Sequence, residues 1–253
     1  MKYSYTLFFL CLLVPFVAAA QELPANSSVV ILLTDGQVPA NAKSKGTLRI
    51  KDGGFKTNCG YSQTFDEARR KAQAAGANII KITQIKPPDG WSSCYRMNMD
   101  LYHLEELAPL IAEQQAAEDS AMRTLLPDTA SYALLCVYRP KSGSGALVQY
   151  NVHVNDSMVC RVKNGGSYLV KIYHPDQARV WARTEKREEV VLNFQAGKAY
   201  FLRCSVGMGA FVGRPVFDVI DAAMGIREFN GTKAEKVVDS TEDPVYSVAG
   251  KQF

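Results

Sequence analysis

Apolar and polar positions follow three different patterns along the chain, and each predicts its own architecture. Between residues 28 and 103 short apolar runs surround one helical stripe. Ser28 to Leu33 predicts a first strand and Gly46 to Ile50 a second. Over 65–75, Ala68, Ala72 and Ala75 recur at spacings of three and four, a narrow small-residue face that suits close packing on a sheet. Thr64 and Glu67 have the spacing of a capping box, Asp66 and Glu67 suit the positive end of the helix dipole, and Gly76 suits a left-handed end. Ile79, Ile80 and Ile82 predict a β-branched strand over 77–85. Pro87-Pro88-Asp89-Gly90 must turn, because neither proline can donate to a ladder. From Arg96 to Tyr102, Met97, Met99 and Leu101 alternate with polar residues, the mark of a half-buried strand.

The second pattern is helical. Leu104, Leu107, Leu110, Ile111, Ala117, Ala121 and Leu125 fall on one stripe over 104–125, and Pro127-Asp128 ends it. The third pattern, over 131–205, is a series of short alternating strands. Val148, Tyr150, Val152 and Val154 alternate inward, and Met158, Cys160 and Val162 resume the alternation after an Asn155-Asp156-Ser157 turn. Asn164-Gly165-Gly166 reads as the clearest hairpin signal, and further turns are expected at His174–Gln177, 185–188 and Gln195–Gly197. The fold class that follows is α+β: a small disulfide-stapled α/β domain over 21–103, a linking helix over 104–129, and an antiparallel β-sandwich or barrel over 130–229. Val216 to Met224 suits a short closing helix, and 230–253, polar and weakly periodic, reads as a mobile tail.

Residues 1–20 change the picture of location. Lys2 precedes an apolar run, Leu7 to Phe16, of signal-peptide length, and Ala18-Ala19-Ala20 offers a small-residue cleavage site. A membrane span needs about 20 apolar residues, so a cleaved export signal is favoured over an uncleaved anchor, with no span in the mature form. No cysteine stands at the cut for a lipid. The net charge of +4, which falls by one with Lys2, and the lack of any basic block give nucleic-acid binding no support. Cys11 leaves with the leader. In an oxidising compartment Cys59 and Cys94 are the natural disulfide pair, because they bracket one folding unit; two buried thiols are the alternative. Closing that loop stabilises by about 4 kcal/mol in chain-entropy terms. Cys136, Cys160 and Cys204 form an odd set, so at least one is expected to stay a thiol or to pair between chains.

Gly54-Phe55, Asn58-Cys59-Gly60-Tyr61, Ala72, Gly76-Ala77-Asn78 and Cys94-Tyr95 occur in a spacing that resembles the sensor domain of the Rcs envelope-stress outer-membrane lipoprotein and its exported relatives. The resemblance covers about residues 28–103 and implies a small disulfide-stapled α/β fold. The lipid-anchor cysteine and a second bridge are absent, so the sensing role does not carry over. Val137-Tyr138-Arg139-Pro140, Val154-Asn155-Asp156, Gly166-Ser167-Tyr168 and Gly197–Phe201 make the C-terminal half similar to an uncharacterised exported bacterial domain and to PEGA-type surface β-domains. No catalytic residues come with that likeness.

Candidate chemistry is sparse. His103, His153 and His174 lie on different elements without ligand spacing, which gives no metal site, and His153 falls on a polar strand face. No cofactor motif is present: Gly207 to Gly213 is glycine-rich but has the wrong spacing for a nucleotide loop, and close backbone packing is its simpler reading. Tyr150, Tyr168, Tyr173 and Tyr200 could line a groove, although alternation sends some of them inward. Trp91 is the candidate partner contact, with a role covering its own core as the alternative. The expectation is a non-enzymatic exported envelope protein, periplasmic or outer-membrane-associated or secreted, that binds or senses an envelope protein or glycan. The alternatives are a structural or assembly component and a hydrolase with a discontinuous site.

Overall fold

The computed structural model describes residues 23–24, 27–54, 59–89, 92–174, 176–234 and 246–249. The export signal expected over 1–20 and the candidate contact Trp91 lie outside them. In the N-terminal unit, β1 (Val30–Leu32), β2 (Lys43–Ile50), β3 (Ile79–Lys86) and β4 (Arg96–His103) form one sheet in the order β1-β3-β4-β2, with β1 parallel to β3 and the other pairs antiparallel. Helix α1 (Tyr61–Ala74) presents Ala68 and Ala72, both fully buried, so its axis can approach the Ile80, Ile82, Met97 and Met99 side chains closely. Asn78 fixes the exit of β4: its amide Nδ2 donates to Leu104 O at 2.7 Å and its Oδ1 accepts from Leu104 N at 2.8 Å.

Two expectations for the helices need correction. α1 starts at Tyr61, its N-cap is Gly60 with no side-chain cap, and Thr64 is buried inside the first turn. The helix has therefore begun one turn before the Thr64–Glu67 pair, which cannot act as a box. The stripe begun at Leu104 becomes α2 only over Ala108–Leu125, because Leu104 is held in the Asn78 bonds.

The C-terminal half contains two sheets packed face to face, and no barrel closes. One has the order β10-β9-β6-β7, built from β6 (Tyr150–Val154), β7 (Ser157–Val162), β9 (Gln177–Arg183) and β10 (Arg187–Asn193). The other has the order β12-β11-β5-β8, built from β5 (Ala133–Tyr138), β8 (Gly166–Ile172), β11 (Ala199–Gly207) and β12 (Arg214–Ile220). The parallel β5–β11 pair is the one exception to antiparallel order within these eight strands. Val152, Val180, Val170 and Leu202, each fully buried, fill the space between the sheets.

The Asn164-Gly165-Gly166 signal marks no hairpin. β7 and β8 lie in different sheets, and the segment is a corner at which the chain crosses between them. Gly165 supplies the positive φ of 80°, while Asn164 exchanges two bonds of 2.9 Å with the Ser142 backbone and ties the corner to a neighbouring loop. The tight hairpin is at Asn155-Asp156, with Asn155 at φ 53°. A register shift after Val152 turns Val159 inward and leaves Met158 exposed, contrary to the simple alternation.

The end of the chain also differs from expectation. Val216 to Ile220 belongs to β12, and the helix is α3 (Ala222–Asn230), whose N-cap Asp221 accepts from Met224 N at 3.1 Å. The segment expected to be a mobile tail contains β13 (Lys233–Ala234) and β14 (Tyr246–Ala249), both paired with β8; 235–245 and 250–253 lie outside the described residues.

β5 explains how the halves join. All six of its residues are buried: Ala133, Leu135 and Val137 face the sandwich interior, and Leu134, Cys136 and Tyr138 face the other way. That second face, with Phe201, Ile220, Met224 and Phe229, shares one apolar cluster with α1 and the N-terminal sheet. A strand buried on both faces is apolar throughout rather than alternating. The two units therefore meet along a packed seam.

Candidate functional site

Polar side chains concentrate at this seam. Arg203 and Asp218 are direct cross-strand partners of β11 and β12 on the outer face of the sheet, both more than nine-tenths buried. Tyr95, the residue after Cys94, reaches across from the N-terminal unit: its hydroxyl donates to Asp218 Oδ2 at 2.8 Å and accepts from Arg203 Nη1 at 2.8 Å. Glu228 on α3 accepts from the Tyr138 hydroxyl at 2.9 Å and lies 3.0 Å from Arg203 Nε, out of line for a hydrogen bond. The Tyr61 hydroxyl donates to Asp221. Burial, aided by the neighbouring carboxylates, lifts the Tyr95 and Tyr138 hydroxyls far above the ordinary phenol range. Burial also raises the Asp218 carboxyl, against the opposing pull of Tyr95 and Arg203. The same burial opposes the Arg203 cation, but the surrounding oxygens outweigh it and its pKa rises. Neutral tyrosine hydroxyls from the N-terminal half thus meet charged side chains of the C-terminal half in one buried cluster, and the tyrosines stay protonated donors.

The disulfide lies at the edge of the same seam. Cys59 and Cys94 are bonded with their Cα atoms 4.9 Å apart, and Tyr95 N donates to Cys59 O at 3.0 Å. The bridge thus holds the strand start that carries Tyr95. Cys136, Cys160 and Cys204 are buried and form no disulfide among the described residues. Burial pushes the Cys204 thiol up to about 12, away from any nucleophilic role at neutral pH.

Above Arg203 a cleft of about 280 Å³ opens between the β3–β4 turn and the sandwich. Lys86, Asp89, Arg139, Lys141, Ser142 and Ser205 line it, with Arg203. Arg139 decides its chemistry. It is 1% exposed, and its guanidinium donates to Val148 O at 2.6 Å and Gly145 O at 2.7 Å. Both partners are carbonyls, and burial lowers its pKa. Asp89, the one acid lining the cleft, is already held by Arg96 at 2.5 Å. Lys86, Arg139 and Lys141 are therefore cations without a carboxylate of their own in the cleft, accompanied by serine hydroxyls. Such a lining favours an anionic group.

The residues singled out from sequence are scattered. Trp91 lies outside the described residues. His153, on the polar strand face, stacks on Trp181 at 4.1 Å between ring centres, with Arg187 4.2 Å over the same tryptophan, and burial together with Arg187 lowers its pKa. Tyr150 and Tyr168 are core residues, whereas Tyr173 is partly exposed. The Gly207–Gly213 segment does gather backbone N–H groups, but their occupant is the protein's own Glu185. No group of three His, Cys, Asp or Glu among the described residues could hold a metal ion. Sequence reasoning missed Arg139, Arg203 and Asp218. Their signal was present: Arg203 is the lone charge in β11, Asp218 interrupts the apolar run Pro215 to Ile220, and Arg139 directly follows the apolar run ALLCVY.

None of the helices among the described residues is long and apolar enough to cross a membrane. No protein-family model matches this chain, and neither a curated protein nor a solved structure matches it significantly.

Proposed function

We propose that this chain is a non-enzymatic, exported envelope protein that binds a partner through an anionic group, a carboxylate or phosphate, held in the cleft at the seam. One observation carries the reading. Arg139 is a buried guanidinium with only carbonyl partners, in the wall of a cleft in which cations outnumber available acids. Keeping such a charge out of water is costly unless an anion completes its surroundings. The export signal expected over 1–20 and the spacing shared with envelope-stress sensor domains support the location. The disulfide supports an oxidising compartment.

The test is calorimetric titration of the protein with inorganic phosphate and with citrate. Lys86 and Lys141 are exposed, so the double variant Lys86→Glu/Lys141→Glu should fold normally. It is expected to weaken binding at least about tenfold, about 1.4 kcal/mol. The wild-type affinity should fall as salt rises. Equal affinity in the double variant would remove the cleft from the account.

A further inference from the structure

The loop between β11 and β12 places large apolar side chains in water. Phe211 is 97% exposed, Met208 75% and Val212 53%. Gly145 and Gly213 both pack against the Val206 side chain, which sets the 143–147 loop beside this one and adds Leu147, 95% exposed. Four such side chains at one end of a sandwich form a protruding apolar tip rather than a groove.

The backbone of this tip is fixed from within. Glu185, in the β9–β10 turn, accepts from Ala210 N at 2.7 Å, Phe211 N at 2.5 Å, Gly213 N at 3.3 Å and also from Val212 N. Thr184 Oγ1 donates to Gly213 O at 2.6 Å. Only glycine fits at 209, where a Cβ would lie 2.4 Å from the Glu185 carboxylate and 2.6 Å from the Gly213 Cα. The N–H groups of Ala210 to Gly213 therefore have partners before any binding, and these bonds fix the backbone that projects Phe211. Exposed Arg183, Lys186 and Arg214 flank the tip.

We infer that this loop is a membrane-docking tip, whose Met208, Phe211 and Val212 side chains enter the interfacial region of a bilayer bearing anionic headgroups. Three features point to lipid rather than to a protein groove. Phe211 and Leu147 are almost fully exposed rather than set in a recess, and the N–H groups of Ala210 to Gly213 can leave water without being orphaned. The flanking cations match phosphate headgroups. Burying these side chains by a few ångströms resembles the shallow insertion of interfacial elements, and it needs no spanning segment. The inference does not depend on the cleft being occupied.

The experiment uses the full chain carrying Phe211→Trp, with the emission of the unsubstituted chain subtracted to remove Trp91 and Trp181. Because the readout is local to position 211, attachment through the apolar N-terminal run alone does not imitate it. Vesicles of phosphatidylcholine with one-third phosphatidylglycerol should shift the emission of the introduced tryptophan to the blue, and lipids brominated on the acyl chains should quench it. Adding Met208→Asp should reduce both effects several-fold, and pure phosphatidylcholine should give a weaker shift. Difference emission that stays unchanged and unquenched with the anionic vesicles would overturn the inference. So would a blue shift that appears without lipid and grows with protein concentration, because the tip would then be a contact between two copies of the chain.

Discussion

Tyr95 shows how one side chain joins chemistry to architecture. Its ring lies 5.6 Å from that of Tyr61, edge to face, and its hydroxyl bridges Asp218 and Arg203. Those two charged residues belong to the other half of the molecule, so the hydroxyl is a bond across the seam. Tyr95→Phe keeps the ring packing and removes the bridge. Hydrogen bonds to charged groups contribute about 1.5–3 kcal/mol, and a loss of about 2 kcal/mol is expected. Urea unfolding should show a lower midpoint with an unchanged slope. A midpoint equal to that of the wild type would mean that the network is peripheral to stability. The partner of Tyr95, Arg203, was hidden in the sequence for a physical reason. A lone charge in a strand says that something unusual is buried, but not which distant residue satisfies it.

At the scale of elements, the β9–β10 turn and the β11–β12 loop act as one unit through Glu185. Backbone N–H bonds from Val212 and Phe211, with smaller contributions from Ala210 and Gly213, hold this carboxyl down at about 2, below its ordinary value of 4.5. A depressed acid favours the folded arrangement while it is ionised. Its contribution is complete above the unfolded value of 4.5 and is lost as pH falls from there through about 2. The Ala210, Phe211 and Val212 amide resonances should therefore titrate together, with a midpoint near 2. A midpoint near 4.5 would show that the carboxylate is not gripped by the loop. The glycines of this loop were visible in the sequence as a need for close approach, and the structure supplies the cause in Gly209 and Gly213. That the occupant is Glu185 was not legible, because it sits on another hairpin.

The whole molecule combines what local patterning encodes with what only tertiary packing decides. Period-two alternation located β4 and most sandwich strands, and the bracketing cysteines located the bridge between Cys59 and Cys94. These are local signals with local causes. The route of the chain is different. Asn164-Gly165-Gly166 has the composition of a hairpin, yet Asn164 bonds to Ser142 and the chain changes sheet. The unbroken apolar run of β5 was the trace of a sheet covered on both faces, and that covering makes the seam between the two halves. The cleft is a product of the seam: Lys86 and Asp89 come from one half, and Arg139, Lys141 and Arg203 from the other. No stretch of sequence contains it.

The central claim is that this seam-built cleft holds an anionic group. Amide and arginine side-chain NMR during titration with inorganic phosphate tests it most directly. Shifts are expected at Lys86 and Asp89 on one wall, at Lys141 and Ser142 on the other, and at the Arg139 guanidinium between them, all absent in Lys86→Glu/Lys141→Glu. Shifts confined to other surfaces, or the same shifts in the double variant, would contradict the claim.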